Sequence, residues 1–96
     1  MKATRRKRLR AKVAEFKALC GECRTISDLL TRGAGQVELL WGNELDREGE
    51  TYGIGYRGME FGVDQGQEEL VVDPRFIVDD EQMRSPMIMS LEDIED

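Results

Sequence analysis

Apolar residues near the start of the chain recur at helical spacing. They are separated by four, three, four and three positions, at Leu9, Val13, Phe16, Cys20 and Cys23. This spacing gathers them into one narrow stripe, which predicts a helix from about residue 4 to residue 20. Gly21 is well suited to end it.

A second, shorter helix is expected after this stripe. Thr25 or Ser27 can cap its first turn, and Gly33 can end it. Two helices joined by a glycine-containing turn are also typical of DNA-binding helix-turn-helix motifs. The segment Arg24–Arg32 has few cations for that role, so we favour a helical hairpin packed on a sheet.

Beyond residue 35 the apolar period changes from helical spacing to two. A strand over residues 36–41 is predicted, with Val37, Leu39 and Trp41 on one face and Glu38 and Leu40 on the other. The residues between Gly42 and Gly49 are polar and predict a loop.

The strongest local pattern is a hairpin over Thr51–Val63, turning at Arg57-Gly58. Its expected cross-strand pairs put six apolar side chains on one face: Tyr56 with Met59, Ile54 with Phe61, and Tyr52 with Val63. The opposite face holds Glu60 and three glycines, Gly53, Gly55 and Gly62, so it is nearly bare. Something is expected to pack closely there, and the chain's own helix is one candidate.

Leu70–Val72 and Phe76–Val78 predict two further strands around Asp73-Pro74. Met87–Met89 is a short apolar patch, and Ser90 can cap a last acidic turn. This tail is either a loosely docked edge strand or a segment that folds on a partner.

The predicted fold class is α+β, with one or two N-terminal helices packed on a small twisted antiparallel sheet of four to five strands. A length of 96 residues allows one domain. We divide it into a basic arm (residues 1–8), a globular body (residues 9–82) and an acidic C-terminal tail (residues 83–96).

Charge is divided unevenly along the chain. Residues 1–34 have a net charge of +7, whereas residues 35–96 have a net charge of −13, and the whole chain carries −6. The positive part can contact phosphates, and the negative part can occupy a basic protein surface that normally holds nucleic acid. A third use is internal, with the arm folded onto the acidic body of its own or a neighbouring copy.

Catalytic and metal chemistry is poorly represented. The chain has no histidine, and no nucleophile lies beside a base, so we expect a non-enzymatic protein without a cofactor. Cys20 and Cys23 have the spacing of half a zinc site, which would need a second copy to complete it. Small buried core cysteines are the favoured interpretation, with dimer-bridging metal and redox chemistry as alternatives.

Two other patterns favour structural interpretations. The run from Gly53 to Gly58 matches a GxGxxG phosphate-binding motif, but it lies inside the predicted hairpin with no helix after it. Trp41, Tyr52, Tyr56 and Phe61 could stack on bases, yet they occupy the sheet face needed for the core.

The lack of a membrane span or signal peptide, and two cysteines too close together to staple the fold, predict a cytoplasmic protein. No apolar stretch is long enough to cross a bilayer, and the segment after the basic start is interrupted by charges, unlike a signal peptide. In size, charge and lack of catalytic residues the chain is similar to small phage-encoded inhibitors, such as anti-CRISPR or anti-restriction proteins. That similarity implies a viral protein working in the host-cell cytoplasm.

The leading hypothesis is an inhibitor whose acidic surface, acting as a nucleic-acid mimic, occupies a basic surface of a protein partner. The acidic residues expected to form this surface are Glu44, Asp46, Glu48, Glu50, Glu68, Glu69, Asp79, Asp80 and Glu81.

The alternative is a nucleic-acid-binding regulator, similar to antitoxins, or a small structural protein. It would use the basic residues of the N-terminal helix on phosphates, namely Arg5, Arg6, Lys7, Arg8, Arg10 and Lys12. A zinc-bridged homodimer through Cys20 and Cys23 ranks last. The oligomeric state stays open.

Overall fold

The structure is a computed structural model that describes the backbone of residues 3–79 and 87–89 and the side chains of residues 6–79. Two helices pack on a five-stranded antiparallel sheet, which confirms the α+β prediction. The sheet order follows the chain, β1-β2-β3-β4-β5. The elements are α1 (Ala3–Gly21), α2 (Ile26–Arg32), β1 (Val37–Trp41), β2 (Thr51–Tyr56), β3 (Met59–Gln65), β4 (Leu70–Asp79) and β5 (Met87–Met89).

The first helix buries the predicted stripe. Leu9 and Phe16 are fully buried, and the Phe16 ring stacks on Phe61 of β3 with centroids 4.2 Å apart. The helix begins at Ala3, so most of the basic arm is helical.

The second helix has the predicted ends. Thr25 is the N-cap, because its hydroxyl accepts a hydrogen bond of 3.1 Å from the Asp28 backbone N–H. The Gly33 N–H donates to the Leu29 carbonyl at 2.9 Å and closes the last turn. Ile26 and Leu29 point into the same core as the stripe of α1.

The hairpin of β2 and β3 has the predicted register throughout. Its turn residues, Arg57 and Gly58, both have positive φ, at 48° and 77°, as a type I′ turn requires. The predicted pairs face the helices and supply much of the core: Tyr52 with Val63, Ile54 with Phe61, and Tyr56 with Met59.

The first strand departs from simple alternation. The register with β2 shifts between Leu39 and Trp41, so Leu39 lies opposite Ile54 whereas Trp41 lies opposite Gly53. This bulge moves Trp41 to the glycine face, and the prediction that it shares a face with Val37 and Leu39 is wrong.

The fourth strand is continuous where two short strands were predicted. It runs from Leu70 to Asp79, with a register shift against β3 that absorbs Asp73, Pro74 and Arg75. The Arg75 backbone N–H donates to the Asp73 carboxylate at 2.9 Å, which holds the chain through the irregular segment. β5 pairs with β4 as an edge strand, and the predicted cap at Ser90 lies outside the described residues.

The lengths and compositions of the two described helices were compared with what a membrane span requires. Neither α1 nor α2 has the length and apolar character needed to span a bilayer.

Candidate protein-binding surface

The loops β1–β2 (residues 42–50) and β3–β4 (residues 66–69) meet at one end of the sheet, which we call the acidic end. Two backbone hydrogen bonds there join the β1–β2 loop to Gln65, the last residue of β3. The Gly49 N–H donates to the Gln65 carbonyl at 2.7 Å, and the Gln65 N–H donates to the Glu50 carbonyl at 3.0 Å. The β3–β4 loop begins at the next residue, so the two loops lie at the same end of the sheet.

Six of the nine predicted acidic residues lie at the acidic end: Glu44, Asp46, Glu48, Glu50, Glu68 and Glu69. Asp79 does not join them. It lies at the opposite end of the sheet, paired with Met59, and its side chain is only 1% exposed. It is therefore not available to an exposed docking surface. Asp80 and Glu81 lie outside the described residues.

Two side chains connect the acidic end to the N-terminus of α2. The Asp46 carboxylate accepts hydrogen bonds from the Ser27 backbone N–H at 2.9 Å and the Ser27 hydroxyl at 2.5 Å. The Gln65 amide oxygen accepts a bond of 2.9 Å from the Ile26 N–H. Free N–H groups at a helix start need such acceptors, so Asp46 has a structural role.

The buried side chain of Tyr52 anchors the β1–β2 loop through two hydrogen bonds. The Tyr52 hydroxyl donates to the Glu44 carbonyl at 2.5 Å and accepts from the Arg47 N–H at 3.1 Å. These bonds involve the loop backbone, so the Glu44 carboxylate projects outward, where it forms an exposed ion pair of 3.5 Å with Arg47. Such an exposed pair is weak and leaves the carboxylate accessible.

The electrostatic balance of the acidic end is strongly negative. Arg47 is the only basic residue in the two loops, against six carboxylates. Glu48, Glu68 and Glu69 are exposed. Carboxylates concentrated on one surface produce a potential that attracts cations and basic proteins.

An apolar patch on the glycine face adjoins the acidic end, and sequence reasoning missed it. Trp41 is 41% exposed, its indole N–H donates to the Glu60 carboxylate at 3.2 Å, and its ring meets the edge of Phe76 at 5.7 Å. A Cβ on Gly53 would lie 2.1 Å from the Trp41 Nε1 atom. The glycine-rich face does indicate close packing, as predicted. Side chains of β1 and β4 cover it, however, and not a helix.

The basic residues of the alternative hypothesis do not form one exposed set. Lys12 is 6% exposed and its Nζ atom donates to the Arg57 carbonyl at 3.2 Å. Lys7 and Arg8 are exposed, while Arg6 and Arg10 are half-buried. The Arg5 side chain lies outside the described residues.

Both cysteines belong to the core. The Cys23 thiol donates to the Leu19 carbonyl at 3.3 Å, and both sulfur-bearing side chains are buried as free thiols. Burial, with a contribution from Cys23, raises the pKa of Cys20 to about 12, and burial also raises the pKa of Cys23. This favours the core interpretation over dimer-bridging metal or redox chemistry. No cluster of metal-ligating side chains occurs among the described residues.

The other candidate motifs are structural too. The GxGxxG run forms the end of β2 and the turn and leads directly into β3, and the expected base-stacking residues Tyr52, Tyr56 and Phe61 are buried in the core. Comparison with known proteins adds no family assignment, because no protein-family model, curated protein or solved structure matches this chain.

Proposed function

We propose that this chain is a non-enzymatic binding protein whose acidic end occupies a basic surface of a protein partner. The observation that carries the proposal is the convergence of six carboxylates and one arginine on two loops at the same end of the sheet. The partner surface would be one that otherwise binds nucleic acid, because such surfaces present clustered arginine and lysine.

The physical advantage of this arrangement is that the acidic end would meet a basic partner quickly and selectively. A concentrated negative surface attracts a basic partner over roughly 8–10 Å at physiological salt and rejects acidic ones. The neighbouring patch of Trp41 and Phe76 supplies apolar contact of the kind found at interface centres. Charge would then control the association rate, and the aromatic rings the residence time.

This proposal agrees with the similarity in size and charge to phage-encoded inhibitors of defence enzymes. An inhibitor of this kind needs no catalytic residue, because covering the partner's nucleic-acid site is sufficient. The host-cell cytoplasm is the compartment in which such a partner would be met.

The test uses a fluorescent arginine-rich peptide as a defined basic probe. Anisotropy is measured at about 50 and 200 mM salt, where charge-driven binding weakens strongly. The variant E48K/E68K changes two exposed carboxylates at the acidic end. The control variant E22K/E38K makes the same change in net charge at exposed positions elsewhere.

We expect E48K/E68K to weaken peptide binding at least fivefold more than E22K/E38K does. Equal weakening by the two variants would show that only net charge matters and would overturn the assignment of the acidic end. Random double-stranded DNA and RNA are titrated in parallel. Salt-sensitive binding to either would favour the nucleic-acid regulator instead.

A further inference from the structure

The indole of Trp41 lies face-down on the glycine face. A Cβ on Gly53 would be 2.1, 2.3 and 2.5 Å from the Nε1, Cε2 and Cδ1 atoms of the indole. Such similar distances to three neighbouring ring atoms place Gly53 beneath the face of the ring and not at its edge. The Trp41 side chain is nevertheless 41% exposed. The second face of the indole is therefore turned to solvent.

A carboxylate lies at the edge of this exposed ring. The Trp41 indole N–H donates to the Glu60 carboxylate at 3.2 Å, and Glu60 is half-buried on β3. A carboxylate can accept about four hydrogen bonds, so this bond uses only part of its capacity. Phe76 of β4 borders the indole, with 88° between the ring planes and 5.7 Å between the centroids. The site therefore combines a solvent-facing aromatic surface, an apolar neighbour and a negative charge.

The rest of the glycine face is negative as well. Strands β1, β2 and β3 contain three charged residues, all acidic: Glu38, Glu60 and Asp64. Register and alternation put all three on the glycine face. Arg75 is the only basic residue in the described strands, and its Nε–H donates to the Asp73 carboxylate at 3.3 Å. The charge of this face therefore complements a cation.

We propose that Trp41 and Glu60 bind one arginine side chain of the basic partner, and we call this pair the Trp41 subsite. The guanidinium stacks on the exposed face of the indole and donates to the Glu60 carboxylate at the ring edge. The inference rests on the proposed function, because the arginine belongs to the partner that the acidic end attracts. It specifies which partner side chain is recognised and where it binds.

The combination of ring and carboxylate favours arginine over other occupants. A guanidinium is planar, so it can lie on an aromatic face while its N–H groups bond a carboxylate, whereas a lysine ammonium is compact and strongly hydrated. An apolar side chain would cover Glu60 without giving its charge a partner, which costs free energy. A nucleobase could stack on the indole, but the carboxylates of the glycine face would repel its phosphate.

The Trp41 subsite is continuous with the acidic end. Trp41 is the last residue of β1, and the β1–β2 loop begins at the next residue. One partner surface can therefore cover both the loop and the ring. The acidic end would attract the partner over a distance, and the subsite would hold one of its arginines after contact.

Intrinsic fluorescence of the full chain gives the first test, because Trp41 is the only tryptophan. An arginine-rich peptide and a lysine-rich peptide of the same length and charge are titrated separately. We expect the arginine peptide to bind at least about threefold more tightly and to change the tryptophan emission more strongly. Equal affinities, or emission changes of equal size, would overturn the assignment of arginine.

Substitutions at two carboxylates separate the contact from the charge of the face. E60Q removes the charge beside the indole but keeps a side-chain oxygen that can accept the Trp41 N–H. E38Q is the matched control, because it removes the same charge from the same face outside the Trp41–Glu60 pair. We expect E60Q to weaken arginine-peptide binding about fivefold or more, and E38Q less than about twofold. Circular dichroism verifies that both variants are folded, and equal weakening would overturn the subsite.

The outcomes also distinguish the subsite from the proposed function. If E48K/E68K weakens binding of both peptides while E60Q behaves like E38Q, the acidic end is supported and the Trp41 subsite is wrong. Failure of both peptides to bind would overturn both proposals. A change in Trp41 emission with single-stranded oligothymidine, and none with the arginine peptide, would assign the ring to a nucleobase and overturn the arginine subsite.

Discussion

Replacing Gly53 by alanine tests the packing of the glycine face. The added Cβ would lie 2.1 Å from Trp41 Nε1, which is closer than real contacts allow, so the indole must move. It then loses its hydrogen bond to Glu60 and its edge contact with Phe76.

The two losses amount to about 0.5–1.5 kcal/mol each, while alanine gains about 0.5–1 kcal/mol over glycine in a strand. We therefore expect G53A to lower the free energy of unfolding by about 1 kcal/mol. G55A is the matched control on the same face. Its Cβ would lie 3.4 Å from Leu40, an ordinary contact, so G55A should be neutral or slightly stabilising.

Urea unfolding followed by circular dichroism measures these changes. The same substitution in the W41A variant shows whether the loss of stability comes from the clash with the indole. Without the indole, G53A should become stabilising by about 0.5 kcal/mol, because only the backbone effect of alanine remains. Because Trp41 is the chain's only tryptophan, its emission should also shift in G53A. A destabilisation of equal size with and without Trp41 would refute this reasoning.

Three further predictions concern the core and the acidic end. F16A should cost about 3–5 kcal/mol of unfolding free energy, measured by urea denaturation, because it empties a fully buried ring site. Cys20 should resist iodoacetamide at about pH 8 in the folded protein and react quickly in denaturant, because its raised pKa keeps it protonated. D46A should cost about 1–2 kcal/mol through its lost bonds to Ser27, whereas E48A should change stability by less than about 0.5 kcal/mol in thermal melts.

Local signals predicted much of the fold. The register of β2 and β3 follows from a two-residue turn and strict alternation, both of which are visible within a few residues. The bulge in β1 is not visible in the local sequence, because it depends on the space above Gly53 that Trp41 fills. The continuity of β4 through Pro74 likewise depends on long-range pairing with β3, which no local pattern contains.

The sequence predicts which residue types form the candidate surface, but not where in the fold they lie. Acidic loops are visible in the sequence, but only the sheet order shows that the loops around Glu48 and Glu68 share an end and that Asp79 does not. The structural role of Asp46 also arises from contact with α2, nineteen residues earlier in the chain. The sequence therefore shows how many carboxylates the loops carry. It does not show which of them are exposed for binding and which, like Asp46, hold the fold together.

The central claim is that the acidic end contacts a basic partner, and mapping the contact by NMR tests it most directly. An arginine-rich peptide is titrated into the ¹⁵N-labelled full chain, and amide shifts are followed. We predict shifts concentrated in residues 42–50 and 66–69, with loss of those shifts in E48K/E68K. Shifts spread evenly over the chain, or concentrated along α1 on addition of duplex DNA, would contradict the account.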